Sequence, residues 1–291
     1  MKIAYIEKKF APSSQTIIDQ ANVIIEEYQE AGFSLTLRQI YYQFVSRGYI
    51  ENTIQSYKRL GSIINDARLS GDIDWLAIED RTRNIRVANY FSSPQSLLYS
   101  AKRSYAIDMW ANQDYRLECW IEKDALVGCV ENICSKLQVP YMACRGYTSQ
   151  SEQWRSAQRI QKYCEEGKVP MILYLGDHDP SGIDMTRDHR DRLNIFDAIT
   201  QVKRLALNYE QVLEFNPPPN PTKLTDSRAT AYIEQFGLEC WELDALGPQQ
   251  ISDLVENAIR EHIDEDAWEE KEDELQRGKD AITKAIDSIK L

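Results

Sequence analysis

Tyr174-Leu175-Gly176-Asp177-His178-Asp179-Pro180-Ser181-Gly182 closes an apolar run, Val169-Pro170-Met171-Ile172-Leu173-Tyr174-Leu175, with two carboxylates two residues apart. Pro180 and Gly182 then turn the chain. A continuous apolar run marks a strand buried on both faces of a parallel sheet, and in open α/β sheets ligands gather beyond the carboxyl ends of the strands. Alternate residues of a strand share a face, so Asp177 and Asp179 project together from a strand end, and the turn leaves room for a hard cation. His178, between them, points the other way. Asp, Pro, Ser and Gly are also ordinary turn formers, so a solvated turn could use the same residues and the neighbourhood must arbitrate.

That neighbourhood alternates between strand and helix. Leu117-Glu118-Cys119-Trp120-Ile121 reads as a strand running into Glu122-Lys123, and Asp124 to Leu137 as a helix. Val139 to Cys144 is a second strand, Ser149 to Cys164 a second helix, Met171 to Leu175 a third strand and Val202 to Leu207 a fourth. Such alternation predicts a parallel sheet with helices on both faces. Glu122 and the Asp177/Asp179 pair then meet on the carboxyl edge of one sheet. Carboxylates this close repel one another, and a bound cation is the usual relief. Mg²⁺ held from two strands keeps positions for water and phosphate oxygens. His189 reads either as a general acid or base or as a solvated helix histidine.

Residues 14–110 read as mainly helical. Ile17, Ile18, Ala21, Ile24, Ile25 and Tyr28 recur at helical spacing until Gly32. Thr36 and Gln39 form a Thr-x-x-Gln capping box that opens a second helix through about Val45. Ile54 to Leu69 is a third, with Tyr57, Leu60, Ile63, Ile64 and Ala67 on one side, and the alternation of Asp72 to Ile78 predicts a strand. Three helices followed by a strand pair suit a winged helix-turn-helix, with Tyr57-Lys58-Arg59 on or near its recognition helix. A plain helical bundle with solvated bases fits the same pattern.

Charge is unevenly spread. The formal net charge is −12, yet residues 36–105 carry ten bases, among them Arg38, Arg47, Lys58, Arg59, Arg68, Arg81, Arg83 and Arg86, against six acids. Residues 261–291 carry eleven acids against five bases. An acidic total therefore does not exclude a half that binds nucleic acid. Asn216-Pro217-Pro218-Pro219-Asn220-Pro221 reads as an extended surface link. Trp241-Glu242-Leu243-Asp244-Ala245-Leu246 places two more carboxylates either at the outer part of the site or on the surface. From Pro248, the residues Ile251, Leu254, Val255, Ala258, Ile259 and Ile263 describe an amphipathic helix, followed by a solvated acidic face.

The 291 residues suffice for two domains, and 43% hydrophobic with 27% charged residues is ordinary for a globular protein. No apolar run reaches the roughly 18 residues of a membrane span, and Met1 to Glu7 lacks a signal-peptide core, so a soluble intracellular protein is expected. The six cysteines show neither a Cys-x-x-Cys pair nor zinc-finger spacing, and structural thiols are expected.

With Glu122-Lys123 ahead of Gly176-Asp177-His178-Asp179-Pro180-Ser181-Gly182, the second half resembles a Toprim domain, the Mg²⁺-binding module of topoisomerases, primases and some nucleases. The closer resemblance is to the A subunit of topoisomerase VI and its relative, the meiotic double-strand-break transesterase. There a winged-helix domain with an Arg-x-x-Tyr-Tyr-type motif precedes the Toprim domain, and here Arg38-Gln39-Ile40-Tyr41-Tyr42 stands in that order. Glu242-Leu243-Asp244-Ala245-Leu246 is similar to a late segment of the same proteins. The resemblance covers about residues 34–247.

The resemblance implies an α/β protein with a winged-helix-like DNA-binding domain over 1–110, a Toprim (parallel-sheet, Rossmann-like) domain over 111–247 and an acidic amphipathic helical tail over 248–291. It implies Glu122, Asp177 and Asp179 as ligands of Mg²⁺, with Glu122 also catalytic. Tyr42 is the implied nucleophile, ahead of Tyr41, with Arg38 on phosphate or the transition state. Lys58, Arg59 and Arg68 are the DNA contacts it suggests, and a homodimer, a separate ATPase partner and a cytoplasmic or nucleoid-associated location go with it. No glycine-rich nucleotide-binding motif is present, so ATP-driven strand passage is not encoded here. The expected activity is Mg²⁺-dependent DNA strand cleavage by tyrosine attack. A hydrolytic nuclease with structural tyrosines and a non-catalytic DNA-binding or assembly protein are the alternatives.

Overall fold

Thr36 starts the element that positions the most residues of interest. Its hydroxyl accepts the Gln39 backbone N–H, and the Gln39 side chain accepts the Thr36 N–H at 2.8 Å, closing the capping box that opens α2 (Leu37–Ser46). The computed structural model describes residues 1–78 and 90–288, so Arg81, Arg83 and Arg86 lie outside the described residues. α1 (Pro12–Glu30) begins with proline in its first turn, and α3 (Ile54–Leu69) is capped by Thr53. Ile18, Ala21, Ile24 and Ile25 of α1 pack with Ile40 and Phe44 of α2 and with Leu60, Ile64 and Ala67 of α3.

The expected strand at Asp72 to Ile78 is a turn, and its one β-bridge among the described residues is the parallel one between Leu35 and Ile78. Side chains hold it instead of a ladder. The Arg68 guanidinium lies 4.7 Å from the Trp75 ring centre and donates to the Trp75 carbonyl at 2.9 Å, while the Trp75 indole N–H donates to the Ile3 carbonyl at 3.0 Å. Within the stretch expected to be mainly helical, α4 (Pro94–Ser104) is a separate element capped by Ser93.

The second half is a four-stranded parallel sheet of β1 (Tyr115–Ile121), β2 (Tyr141–Ala143), β3 (Val169–Leu175) and β4 (Gln201–Ala206), in the order β2-β1-β3-β4. The helices that follow are α5 (Val127–Lys136), α6 (Gln150–Glu165), α7 (Pro180–Ile195), α8 (Tyr209–Phe215), α9 (Ala229–Phe236), α10 (Pro248–Arg260) and α11 (Glu265–Ser288). Period-two alternation divides the core. Leu117, Cys119, Ile121, Leu173 and Leu175 face α5 and α10, while Trp120, Ile172 and Tyr174 face α6 and α7. This mixed α/β layering is compatible with a Rossmann-like domain.

The proline-rich link ends in more order than expected, because β5 (Asn220–Pro221) pairs antiparallel with β6 (Glu239–Cys240). α11 leaves from the amino edge of the sheet. Gln113, two residues before β1, accepts the Asp264 N–H at 2.7 Å and donates to the Asp264 carbonyl at 3.1 Å, and Trp268 packs edge-on against Trp110. Among the described residues no helix is long and apolar enough to cross a membrane.

Candidate metal centre and adjoining cleft

β1 and β3 are neighbours in register, Ile121 opposite Leu175, so the chain leaves both strands at one level. The Glu122 N–H donates to the Leu175 carbonyl at 2.8 Å, and the Glu122 Oε2 accepts the Asp177 N–H at 2.8 Å. Gly176 makes this approach possible, since a Cβ there would sit 2.6 Å from the Tyr174 hydroxyl and 2.9 Å from Glu122 Oε2. Asp177 Oδ1 accepts the Leu243 N–H at 2.8 Å. Asp179 caps α7, its Oδ1 accepting the Gly182 N–H at 2.6 Å and the Ser181 hydroxyl at 3.0 Å. From behind, the half-buried Arg204 guanidinium donates to the carbonyls of Gly176 at 2.9 Å and Asp177 at 2.5 Å, fixing the turn.

His178 does point away from its two neighbours. Its Nδ1 lies 2.7 Å from the Tyr232 hydroxyl, among Tyr209, Phe236 and Trp241. Its backbone makes an antiparallel bridge to Trp241, with N–H to carbonyl distances of 2.8 and 2.9 Å. That bridge carries Glu242 and Asp244, a pair whose place the sequence left open, to the sheet edge beside Lys123 and Asp177. Lys123 Nζ lies 2.8 Å from Asp177 Oδ2, 3.0 Å from Glu242 Oε2 and 2.6 Å from Asp244 Oδ2. Arg38, from α2, pairs with Glu242 and reaches within 3.6 Å of Asp244. Ala245 packs into the same core as Tyr41 and Tyr42, so the helical half and the sheet edge are joined at this point.

A cleft of about 510 Å³ opens between them, lined by Arg38, Tyr41 and Tyr42 of α2, Tyr57 of α3, and Asp179 and Glu242. Tyr41 is engaged, its hydroxyl donating to Asn52 Oδ1 at 2.8 Å. Tyr42 is 3% exposed, with its ring 5.7 Å from the Arg38 guanidinium and its hydroxyl against Glu242 and Asn220. Of the other sequence candidates, Lys58 and Arg59 lie on the exposed side of α3, while Arg68 is occupied by the Trp75 turn. His189 is neither solvated nor near the cleft. It is buried edge-on against Trp120 and Tyr174 with Nδ1 3.0 Å from the Gln153 amide, and burial pushes its imidazole down to about 4.

Burial, followed by the Asp177 charge, raises Glu122 to about 7. Burial also raises Asp177, against the pull of Lys123. Glu242 goes the other way: burial opposes its ionisation, but Lys123 and Arg38 outweigh that and hold it at about 2. Burial and the Glu242 charge push the Tyr42 hydroxyl well above the usual phenol range. Among the described residues no three His, Cys, Asp or Glu side chains stand as a ready metal-binding group, and Lys123 lies between the acids.

Glu122 carries a pH signature. The folded chain keeps its proton up to about 7, whereas the ordinary group releases it near 4.5, so this contribution to stability is present below 4.5 and lost as pH rises through 7. In metal-free buffer the denaturation midpoint of the wild type is expected to fall more steeply across that window than that of Glu122→Gln. Parallel curves would refute the assignment.

No protein-family model matches the chain, and no curated protein matches it.

Proposed function

We propose that this protein is a Mg²⁺-dependent DNA strand-cleaving enzyme, a winged-helix-like unit joined to a Toprim-like domain, in which Tyr42 attacks the phosphodiester. The observation that carries this reading is the shared cleft, where Tyr42 and Arg38 face Asp179 and Glu242 beside the Glu122–Asp177 pair. DNA as substrate is supported by the resemblance of the motifs and by the exposed Lys58 and Arg59 beyond Tyr57 on α3.

Glu122, Asp177 and Asp179 would hold the ion. Their chemistry suits it: all donors are hard oxygens, five carboxylates stand with three cations (Lys123, Arg38 and, behind the turn, Arg204), and Asp244 Oδ1 is buried without a hydrogen-bond partner. When bound, Mg²⁺ supplies charge neutralisation at the phosphate oxygens. Arg38 orients the phosphate and stabilises the phenolate of Tyr42. Glu242 lies beside the Tyr42 hydroxyl and can take its proton only after its own basicity has risen. Lys123 and Arg38 keep Glu242 a weak base, and a phosphate that draws Arg38 away strengthens it. The Tyr42 Oη–P bond forms as the bond from phosphorus to the adjacent sugar oxygen breaks, and the freed hydroxyl takes up a proton. Cutting both strands of a duplex takes two such sites, hence a homodimer, and strand passage would take a separate ATPase.

The burial of Tyr42 and its reluctance to ionise favour a second reading, in which water attacks and the tyrosines are cleft wall. Supercoiled plasmid incubated with Mg²⁺, stopped with detergent and run with and without protease separates the two. DNA that enters the gel only after protease, and is lost in Tyr42→Phe, is the expected result. Free nicked DNA that survives Tyr42→Phe selects hydrolysis, and intact plasmid in every lane counts against cleavage.

A further inference from the structure

Lys123 touches three carboxylates at once: Asp177 at 2.8 Å, Glu242 at 3.0 Å and Asp244 at 2.6 Å. An ammonium has three N–H donors and no acceptor, so three carboxylate oxygens satisfy it completely. The side chain is 23% exposed, and Arg38 closes the other side of Glu242 and Asp244. Asp177 has one oxygen committed to the Leu243 N–H, at 2.8 Å, and the other to Lys123. Each carboxylate oxygen has two lone pairs, so a divalent ion can share either one, but at Oδ2 it meets the ammonium.

We infer that Lys123 is an internal counter-cation that competes with the divalent ion for Asp177 Oδ2, an inference that rests on the proposed role of Asp177 as a ligand. In the metal-free protein the ammonium draws Asp177, Glu242 and Asp244 together and prevents their mutual repulsion from opening the sheet edge. When the ion takes Asp177, Lys123 keeps Glu242 and Asp244. Two segments 66 residues apart, at Asp177 and Leu243, thus remain assembled in both states. Lys123 is a positioning residue, and it makes the site looser for metal than its acids alone would.

The test is Mn²⁺ binding followed by electron paramagnetic resonance of the free ion, on wild type, Lys123→Met, Lys123→Arg and Asp177→Asn, without DNA. Removing one positive charge from beside the ion is expected to tighten binding roughly tenfold to a hundredfold in Lys123→Met. Lys123→Arg, which keeps the charge, is expected to stay near wild type. Lys123→Gln, which drops the charge and keeps a hydrogen-bond donor, is expected to tighten likewise and serves if the methionine variant does not fold. A lysine that merely braces the fold would leave affinity unchanged or weaken it, and that result in the uncharged variants overturns the inference. If Asp177→Asn abolishes binding while the uncharged variants do not tighten it, the inference fails and the metal reading stands. If no variant and no wild-type protein binds Mn²⁺, both fail.

Discussion

Asp177→Asn is expected to abolish Mg²⁺-dependent strand cleavage while leaving the protein folded. The asparagine carbonyl can still accept the Leu243 N–H, so the tie between β3 and the late segment survives. Lys123 loses one of its three partners and keeps Glu242 and Asp244. What disappears is the negative charge beside Glu122, and with it the donor that the ion needs. Residues that merely orient a metal ligand typically cost 10- to 100-fold in metal affinity, so losing a ligand should cost more than about a hundredfold. Mn²⁺ titration, plasmid cleavage and a thermal melt together check this. Wild-type cleavage by a folded Asp177→Asn protein would remove Asp177 from the mechanism.

Trp120→Ala is expected to cost about 3–5 kcal/mol of stability, the range for emptying a large buried aromatic. Trp120 is fully buried on the face of β1 covered by α6 and α7, with His189 edge-on at 5.2 Å. Its indole N–H also donates to Glu118 Oε2 at 2.9 Å, and that carboxylate holds Arg159 through bonds of 2.9 and 3.0 Å. The substitution therefore leaves a cavity and removes a donor from a buried charge. Denaturant unfolding of both proteins measures the difference. A loss under about 1 kcal/mol would mean that this face is far less tightly packed than described.

Local signals carried much of the architecture. The apolar run of β3, the alternation around it and the capping box at Thr36 are each written within a few consecutive residues, and they place the parallel sheet and α2. The same logic misleads at Asp72 to Ile78, where the alternation is real but, among the described residues, the segment is a turn whose Trp75 is held by Arg68 and Ile3. The burial of His189 is not legible, because a polar residue on a helix says nothing about which helix face meets Trp120 and Tyr174. The setting of Lys123 could not be read at all. Its partners arrive through a bridge between His178 and Trp241, and no local pattern announces a contact across that separation. Glu242 and Asp244 had a signal, their spacing of two, but spacing alone does not say which surface they join.

α11 has a bearing on how a polyanion finds this molecule. It carries nine acids and four bases, and it departs beside Gln113, at the edge of the sheet opposite Glu122 and Asp177. A strand diffusing in from that side meets repulsion well before contact, over about 8 Å at physiological ionic strength. On the reading proposed above, an approach past the exposed Lys58 and Arg59 of α3 would meet positive charge first. On the DNA-binding reading proposed above, the acidic arm would bias which end of the protein a strand meets first.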